Sequence, residues 1–235
     1  KRRARRGRWW QYAERATGLY EGISGMRRAL AFGAVSKLML PVWVQTDWVF
    51  SHKVFVCLSD TDGSFGVFSS SLYWWWGATR SSTLGMGVNY SPSDCFVNFP
   101  LPLDLFDIAP LGSALHEHRT AMMLERQLGM TATYNLVIDG SCNDQDVEDL
   151  RRLHRELDEA VAHAYGWDDL ALDHGFYDTK WGPRYTVGPT VRQEILDRLL
   201  ELNHERYAAE VAQGPHDKGA KKKSKHNAVS DTQSL

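Results

Sequence analysis

Cysteine is scarce in this 235-residue chain. The three present, Cys57, Cys95 and Cys142, stand far apart, and no CxxC pair occurs. An odd, scattered set argues against a disulfide framework or a zinc-held fold and predicts a reducing, cytoplasmic setting. Long apolar runs are missing too. None reaches the ~18–20 residues that a membrane-spanning helix needs, so no membrane partner is expected. The opening residues lack the charged-then-apolar pattern of a signal peptide. Internal repeats are absent. The first residue is Lys1, which predicts a start inside a longer reading frame.

Tryptophan, by contrast, is abundant, with nine copies. Each supplies a flat apolar body with one polar tip. Charge is unevenly spread although the net is only −2. Residues 1–103 hold 12 Lys+Arg and 6 Asp+Glu, a net of +6, and residues 104–235 hold 15 and 23, a net of −8. A basic half is a composition-level pointer to a polyanion. Six of its twelve basic residues lie in Lys1–Arg8, however, and a solvated arm accounts for those equally well.

Residues 1–8 read as a basic arm and 9–28 as short helical or irregular chain. Val, Phe, Trp and Leu between 29 and 58, broken by Gly33, Pro41 and Asp47, predict three short strands near 30–36, 39–44 and 48–58. Thr61-Asp62-Gly63 is a turn signal. Phe65, Phe68, Leu72 and Trp75 or Trp76 fall at helical spacing, which predicts one short helix over 64–76 with Ser64 as its cap. Residues 77–93, rich in Ser, Thr and Gly, read as a loop. Ser91–Asp94 opens a turn, and 95–103 reads as extended chain stopped by Pro100 and Pro102.

Beyond residue 104 the pattern turns helical. One helix is predicted over 113–128. A second, over 146–164, carries an apolar stripe of Val147, Leu150, Leu153, Leu157, Val161 and Ala164, with Gly166 at its C-cap. A third starts at a Thr190–Gln193 capping box and runs to about Ala212. The Lys-rich polar remainder, 213–235, is expected to be disordered. The class expected is therefore α+β: a mixed-sheet domain at 9–103 with a short packed helix, followed by a helical region at 104–212.

Several short motifs run in fixed order along the first half. They are Ser36-Lys37, Phe50-Ser51-His52, Ser69-Ser70-Ser71 before aromatics, Arg80-Ser81-Ser82-Thr83, Tyr90-Ser91-Pro92-Ser93-Asp94 and Phe96-Val97-Asn98-Phe99-Pro100-Leu101-Pro102. With Tyr134-Asn135, Leu150-Arg151, Leu153-His154, Leu157-Asp158, Tyr165-Gly166-Trp167, Asp169-Leu170 and Leu202-Asn203-His204-Glu205-Arg206 downstream, the chain resembles, over about residues 8–212, one part of the type IIG/IIL restriction–modification enzymes. These are bacterial adenine DNA methyltransferases with a target-recognition domain and helical tail fused behind the catalytic domain. Type I specificity subunits use a related reader, and related methyltransferases occur in phage-defence systems.

The resemblance implies sequence-specific recognition of double-stranded DNA, with a methyltransferase catalytic domain in cis or in trans. The catalytic signature itself is missing. No Asn/Asp-Pro-Pro-Tyr/Phe loop, which would hold a flipped adenine, occurs in the sequence. Neither does a strand and Gly-rich turn suited to S-adenosylmethionine, nor an acidic set with Lys suited to a nuclease. No catalytic residue and no cofactor is expected in this chain, and S-adenosylmethionine is expected only for the separate catalytic domain.

Arg bidentate to guanine and Asn bidentate to adenine are the favoured base contacts. Arg80 and Asn89 are the expected base readers, with Ser81, Ser82, Thr83, Tyr90, Ser91, Ser93, Ser36, Lys37 and His52 near bases or phosphates. Gly85 and Gly87 would let the segment approach a groove. Bland roles compete: the hydroxyls could satisfy turn backbone, Asn89 could supply a left-handed turn, and Trp74, Trp75 and Trp76 read as core. Three consecutive helical positions cannot all face one way, so at least one Trp should meet another domain, DNA or solvent. His116 and His118 point about 200° apart on a helix, a poor metal geometry. The acidic run 139–149 lacks a calcium-loop pattern, and no metal is expected. The alternative function is a module that docks on a methyltransferase or nuclease subunit through its acidic helical half and exposed tryptophans.

Overall fold

The computed structural model describes residues 16–85 and 87–213. The predicted basic arm and the predicted tail beyond Gln213 lie outside them. After a short helix α1 (Thr17–Ile23), β1 (Ala29–Gly33) forms the centre of a three-stranded sheet between β3 (Val42–Val44) and β4 (Val54–Cys57). The chain passes through Ala34 into β2 (Val35–Ser36), which joins a second sheet in the order β2-β6-β5, with β5 at Ser82–Leu84 and β6 at Gly87–Asn89. Ala34 serves both sheets. Its N–H donates to Lys53 O at 2.8 Å and its carbonyl accepts from Tyr90 N–H at 2.9 Å. The α+β class holds, but every described strand pairing is antiparallel, so the sheets are not mixed.

The single helix expected at 64–76 is two, α2 (Asp62–Ser69) and α3 (Ser71–Arg80). Ser70 breaks them with an extended ψ of 155°. Its hydroxyl donates back to Val67 O at 2.7 Å and accepts Tyr73 N–H at 3.3 Å, serving the end of one helix and the start of the next. Thr61, not Ser64, caps α2, accepting Ser64 N–H at 3.3 Å. The predicted inward face is right: Phe65, Phe68, Leu72, Trp75 and Trp76 are all buried.

Residues 77–93 are not a loop. α3 runs to Arg80, and β5 and β6 form a hairpin turning at Gly85, whose φ is +61°. The turn expected at Ser91–Asp94 is one π-helical turn over 92–96, which takes in the first two residues expected to be extended, with Val97 N–H on Pro92 O. The Pro-rich stretch that follows is tied to the helical region. Asn203 donates to Asn98 O at 2.7 Å, Arg206 to Leu101 O at 2.6 Å and Tyr165 to Pro100 O at 2.9 Å.

The helical region comprises α4 (Ile108–Glu125), α5 (Met130–Ile138), α6 (Gln145–Ala164) and α7 (Pro189–Ala212). A hairpin, β7 (Gly175–Thr179) and β8 (Gly182–Thr186), is inserted before α7. α4 starts five residues before its expected position, and Gly112 within it permits close contact with α2. A Cβ there would sit 2.2 Å from Asp62 O. α6 ends as predicted at Gly166, with φ +76°. The Thr190 capping box does not form: Gly188 occupies the N-cap and Pro189 the first helical position. Buried Arg151 donates to the carbonyls of Leu136, Val137 and Asp139, closing the C-terminal end of α5, where helix carbonyls lack partners.

The expected boundary at 103–104 falls between the Pro-rich stretch and α4, and buried side chains from both sides form one hydrophobic core. Trp74 and Trp75 are one of several contacts between the halves. Both pack edge-on against Trp181 at 5.2 and 5.8 Å, and Trp75 Nε1 donates to Thr186 Oγ1 at 3.0 Å. Trp76 turns the other way and donates to Cys95 O at 2.9 Å. No described helix is long and apolar enough to cross a membrane.

Candidate nucleic-acid interface

The second sheet presents an exposed, polar hairpin. Ser82, Thr83 and Asn89 are all exposed. Asn89 faces Ser82 across the ladder, and its Nδ2 donates to Ser82 Oγ at 3.0 Å. Asn89 lies in a strand with negative φ, so it does not supply a left-handed turn. Its side-chain oxygen has no partner in that pair, which leaves an acceptor and one N–H free toward solvent.

Arg80 stands at the root of this hairpin, on the last turn of α3. Its guanidinium lies over the Trp76 ring, 3.2 Å from the centroid, and no described carboxylate pairs with it. Partial burial lowers its pKa from the usual arginine value. Stacking on an indole fixes the fork without using its donors. Ser81 closes α3 and is half-buried, its hydroxyl 3.8 Å from Cys95 Sγ.

Other expected contacts separate into two groups. Lys37 and His52 are exposed. Lys53, next to His52, bonds Ala34, which brings the Ser51–Val54 turn to the start of β2. Ser36 is committed locally, its Oγ accepting the N–H groups of Leu38 and Met39 at 3.1 and 3.2 Å. Ser91 is likewise bonded to Asp94 at 2.6 Å and to Ser93 at 3.2 Å, and Ser93 to Asp94 at 3.3 Å. These hydroxyls hold the π turn, and Asp94 places a carboxylate among them.

Tyr90 is a correction. It is only 4% exposed, stacks on Phe32 at 5.3 Å and hydrogen-bonds the Tyr73 hydroxyl. Burial raises the pKa of both phenols, so the pair stays neutral. Gly87 is another: it lies in the sheet, where a Cβ would meet Val35 Cγ1 at 3.0 Å, and serves strand packing instead of groove approach.

Sequence reasoning missed the basic residues of the helical half that stack on tryptophans of α3 and of the β7–β8 hairpin. Arg184, on β8, lies over Trp74 at 3.6 Å and donates to Lys37 O. Its burial lowers its pKa to about 10. Lys180 lies 4.2 Å from the Trp181 ring and Arg192 4.2 Å from the Trp75 ring. Alternating aromatic and polar residues around Trp181-Gly182 were the available sign of this hairpin. Among the described residues no group of three or more metal-ligating side chains occurs.

The fold is similar to part of the type IIL restriction–modification enzyme MmeI, whose structure was solved in complex with DNA. The TM-score is 0.52 at 18% identity, over 78% of this chain and 22% of that one. The chain thus spans about a fifth of that enzyme, and the likeness is one of fold. No protein-family model and no curated protein matches the sequence.

Proposed function

We propose that this chain is the sequence-reading part of a restriction–modification adenine methyltransferase, binding double-stranded DNA through its second sheet. The observation that supports it best is Arg80, unpaired and stacked on Trp76 at the root of an exposed hairpin that carries Asn89 and Ser82. Arg80 and Asn89 would read base edges from the major groove. Ser81, Ser82, Thr83, Lys37 and His52 would contact bases or backbone, while Ser36, Ser91 and Ser93 shape the loops that position them. In this reading residues 9–103 form the reader and 104–212 the helical buttress behind it.

Catalysis belongs to a methyltransferase domain in cis or in trans, which would carry S-adenosylmethionine. That every described strand pairing is antiparallel supports assigning the cofactor to that other domain, since the usual cradle is a parallel strand–turn–helix unit. The cell compartment is the cytoplasm, where DNA and reducing conditions coincide.

Fluorescence anisotropy with a randomised duplex pool, at low and physiological salt, tests the proposal, followed by sequencing of the retained fraction. An enriched motif lost on Arg80→Ala or Asn89→Ala is the expected result. Binding without enrichment would reduce the site to a basic surface, and no binding would overturn the reading.

A second reading, docking on a methyltransferase or nuclease subunit, rests on a different observation. Leu103 and Phe106 are 93% and 79% exposed, and Val97 is exposed as well. The tryptophans do not support it, since Trp48 is the one described Trp that is exposed. Co-purification with such a subunit in the absence of DNA is its test.

A further inference from the structure

Between α3, the β7–β8 hairpin and the first turns of α7 lies an open cleft of about 370 Å³. Trp75, Thr79, Lys180, Trp181, Arg192 and Gln193 are among its walls, and Asp178 is its one carboxylate. Its neutral polar groups are spent locally. Thr79 Oγ1 donates to Trp75 O at 2.8 Å, Thr179 Oγ1 to Gly182 O at 2.7 Å and Gln193 Nε2 to Asp197 at 3.0 Å. The two cations are not spent. Lys180 rests on Trp181 and Arg192 on Trp75, with no ion pair to Asp178 or to any other described carboxylate.

That is unusual in this acidic half. Arg126, Arg151, Arg152 and Arg198 pair with carboxylates, and Arg119 and Arg206 bond backbone carbonyls. Arg184 likewise bonds the Lys37 carbonyl, and outside the cleft exposed Arg155 on α6 is the one described arginine of this half with neither kind of partner. Indole faces hold the two cleft cations in place while leaving every N–H donor free, which suits a site awaiting an anion. The cleft also has a defined neighbour. Thr79 on its rim is three residues from Ser82, so the exposed hairpin begins within about 11 Å. A duplex lying on that hairpin carries one phosphate charge per ~1.7 Å of axis.

We propose that Lys180 and Arg192 form a phosphate clamp that grips the DNA backbone beside the bases read by the hairpin. The inference rests on the DNA-reading function proposed above and extends it to the helical half. The clamp contributes affinity and register and carries no sequence information.

The test is the slope of log binding constant against log salt for the full chain and the randomised duplex pool. The double variant Lys180→Gln/Arg192→Gln should make this negative slope shallower by about 1.8, at ~0.9 per phosphate contact. It should weaken enriched and unselected duplexes by the same factor. Lys180→Arg/Arg192→Lys, which keeps both charges, should restore the slope. Arg155→Gln, which removes an unpaired charge outside the cleft, should leave it in place. A double Gln variant with the parent slope, or an Arg155→Gln variant with an equal loss, overturns the clamp while leaving the reader standing. A parent chain that binds no duplex overturns both.

Discussion

The Asp158 carboxylate on α6 accepts the Ser71 N–H at the start of α3, 2.6 Å away across 87 residues of chain. Its other oxygen accepts from His174 Nε2 at 2.9 Å, and the carboxylate is fully buried. A helix N-terminus is a natural seat for a negative charge. Asp158 therefore fastens the helix bearing Arg80 to the helical region. Asp158→Ala leaves a buried N–H and His174 without partners. Urea unfolding should show a loss of about 3 kcal/mol.

Tyr73 and Tyr90 share one buried hydrogen bond. Tyr90→Phe strands the Tyr73 hydroxyl and should cost about 1–2 kcal/mol. Adding Tyr73→Phe removes the stranded group and should recover part of that loss. A double-mutant cycle by thermal or urea unfolding checks this. A change in DNA motif with Tyr90→Phe would contradict a purely structural role for the pair.

Stability should fall on mild acidification. Burial lowers the His154 pKa to about 4, and its Nε2 lies 2.7 Å from the Tyr134 hydroxyl. Above about 6.5 the imidazole is neutral in both folded and unfolded chains. Between about 6.5 and 4 the unfolded chain binds a proton that the folded chain refuses, so stability is lost as pH falls through that window. The expected loss is on the order of 2–3 kcal/mol. His116, also lowered by burial, acts in the same direction. Urea midpoints at pH 7 and pH 4.5 measure the loss, and His154→Leu should flatten the dependence.

Asn89 lies on the exposed face of the hairpin, and Asn89→Ala should alter stability by no more than about 0.5 kcal/mol. In the proposed reader Arg80→Ala and Asn89→Ala should each relax preference at one base pair, a discrimination of about 1–3 kcal/mol. Comparing enriched motifs of parent and variant chains checks both.

Gly112→Ala should be damaging despite its small size. The added methyl would lie 2.2 Å from Asp62 O, a backbone atom that cannot swing aside. The expected cost is about 3 kcal/mol, read from the unfolding midpoint.

Local pattern carried much of the fold. The stripe from Val147 to Ala164 and Gly166 after it define α6, because a 3.6-residue period and a left-handed cap are properties of neighbouring residues. The same holds for the inward face of Phe65, Phe68 and Leu72. Where local signals competed, the reading slipped. Ser70 sits inside a helical pattern yet breaks it through its own hydroxyl, and the Ser/Thr/Gly-rich 77–93 read as loop although Gly87 is needed for strand contact.

Composition, periodicity and motif order by themselves determined the α+β class, the two-part organisation expected for the chain and the stretch around Arg80 and Asn89 as its candidate surface. Tertiary structure alone decided which of those residues face outward: Tyr90 went to the core and Asn89 to the surface, one residue apart on the same strand path. It also brought Arg184 to Lys37 across 147 residues and set Lys180 and Arg192 beside α3. The reason is physical. Periodicity records which side chains avoid water, whereas a site made by elements far apart in sequence exists only once the chain has packed.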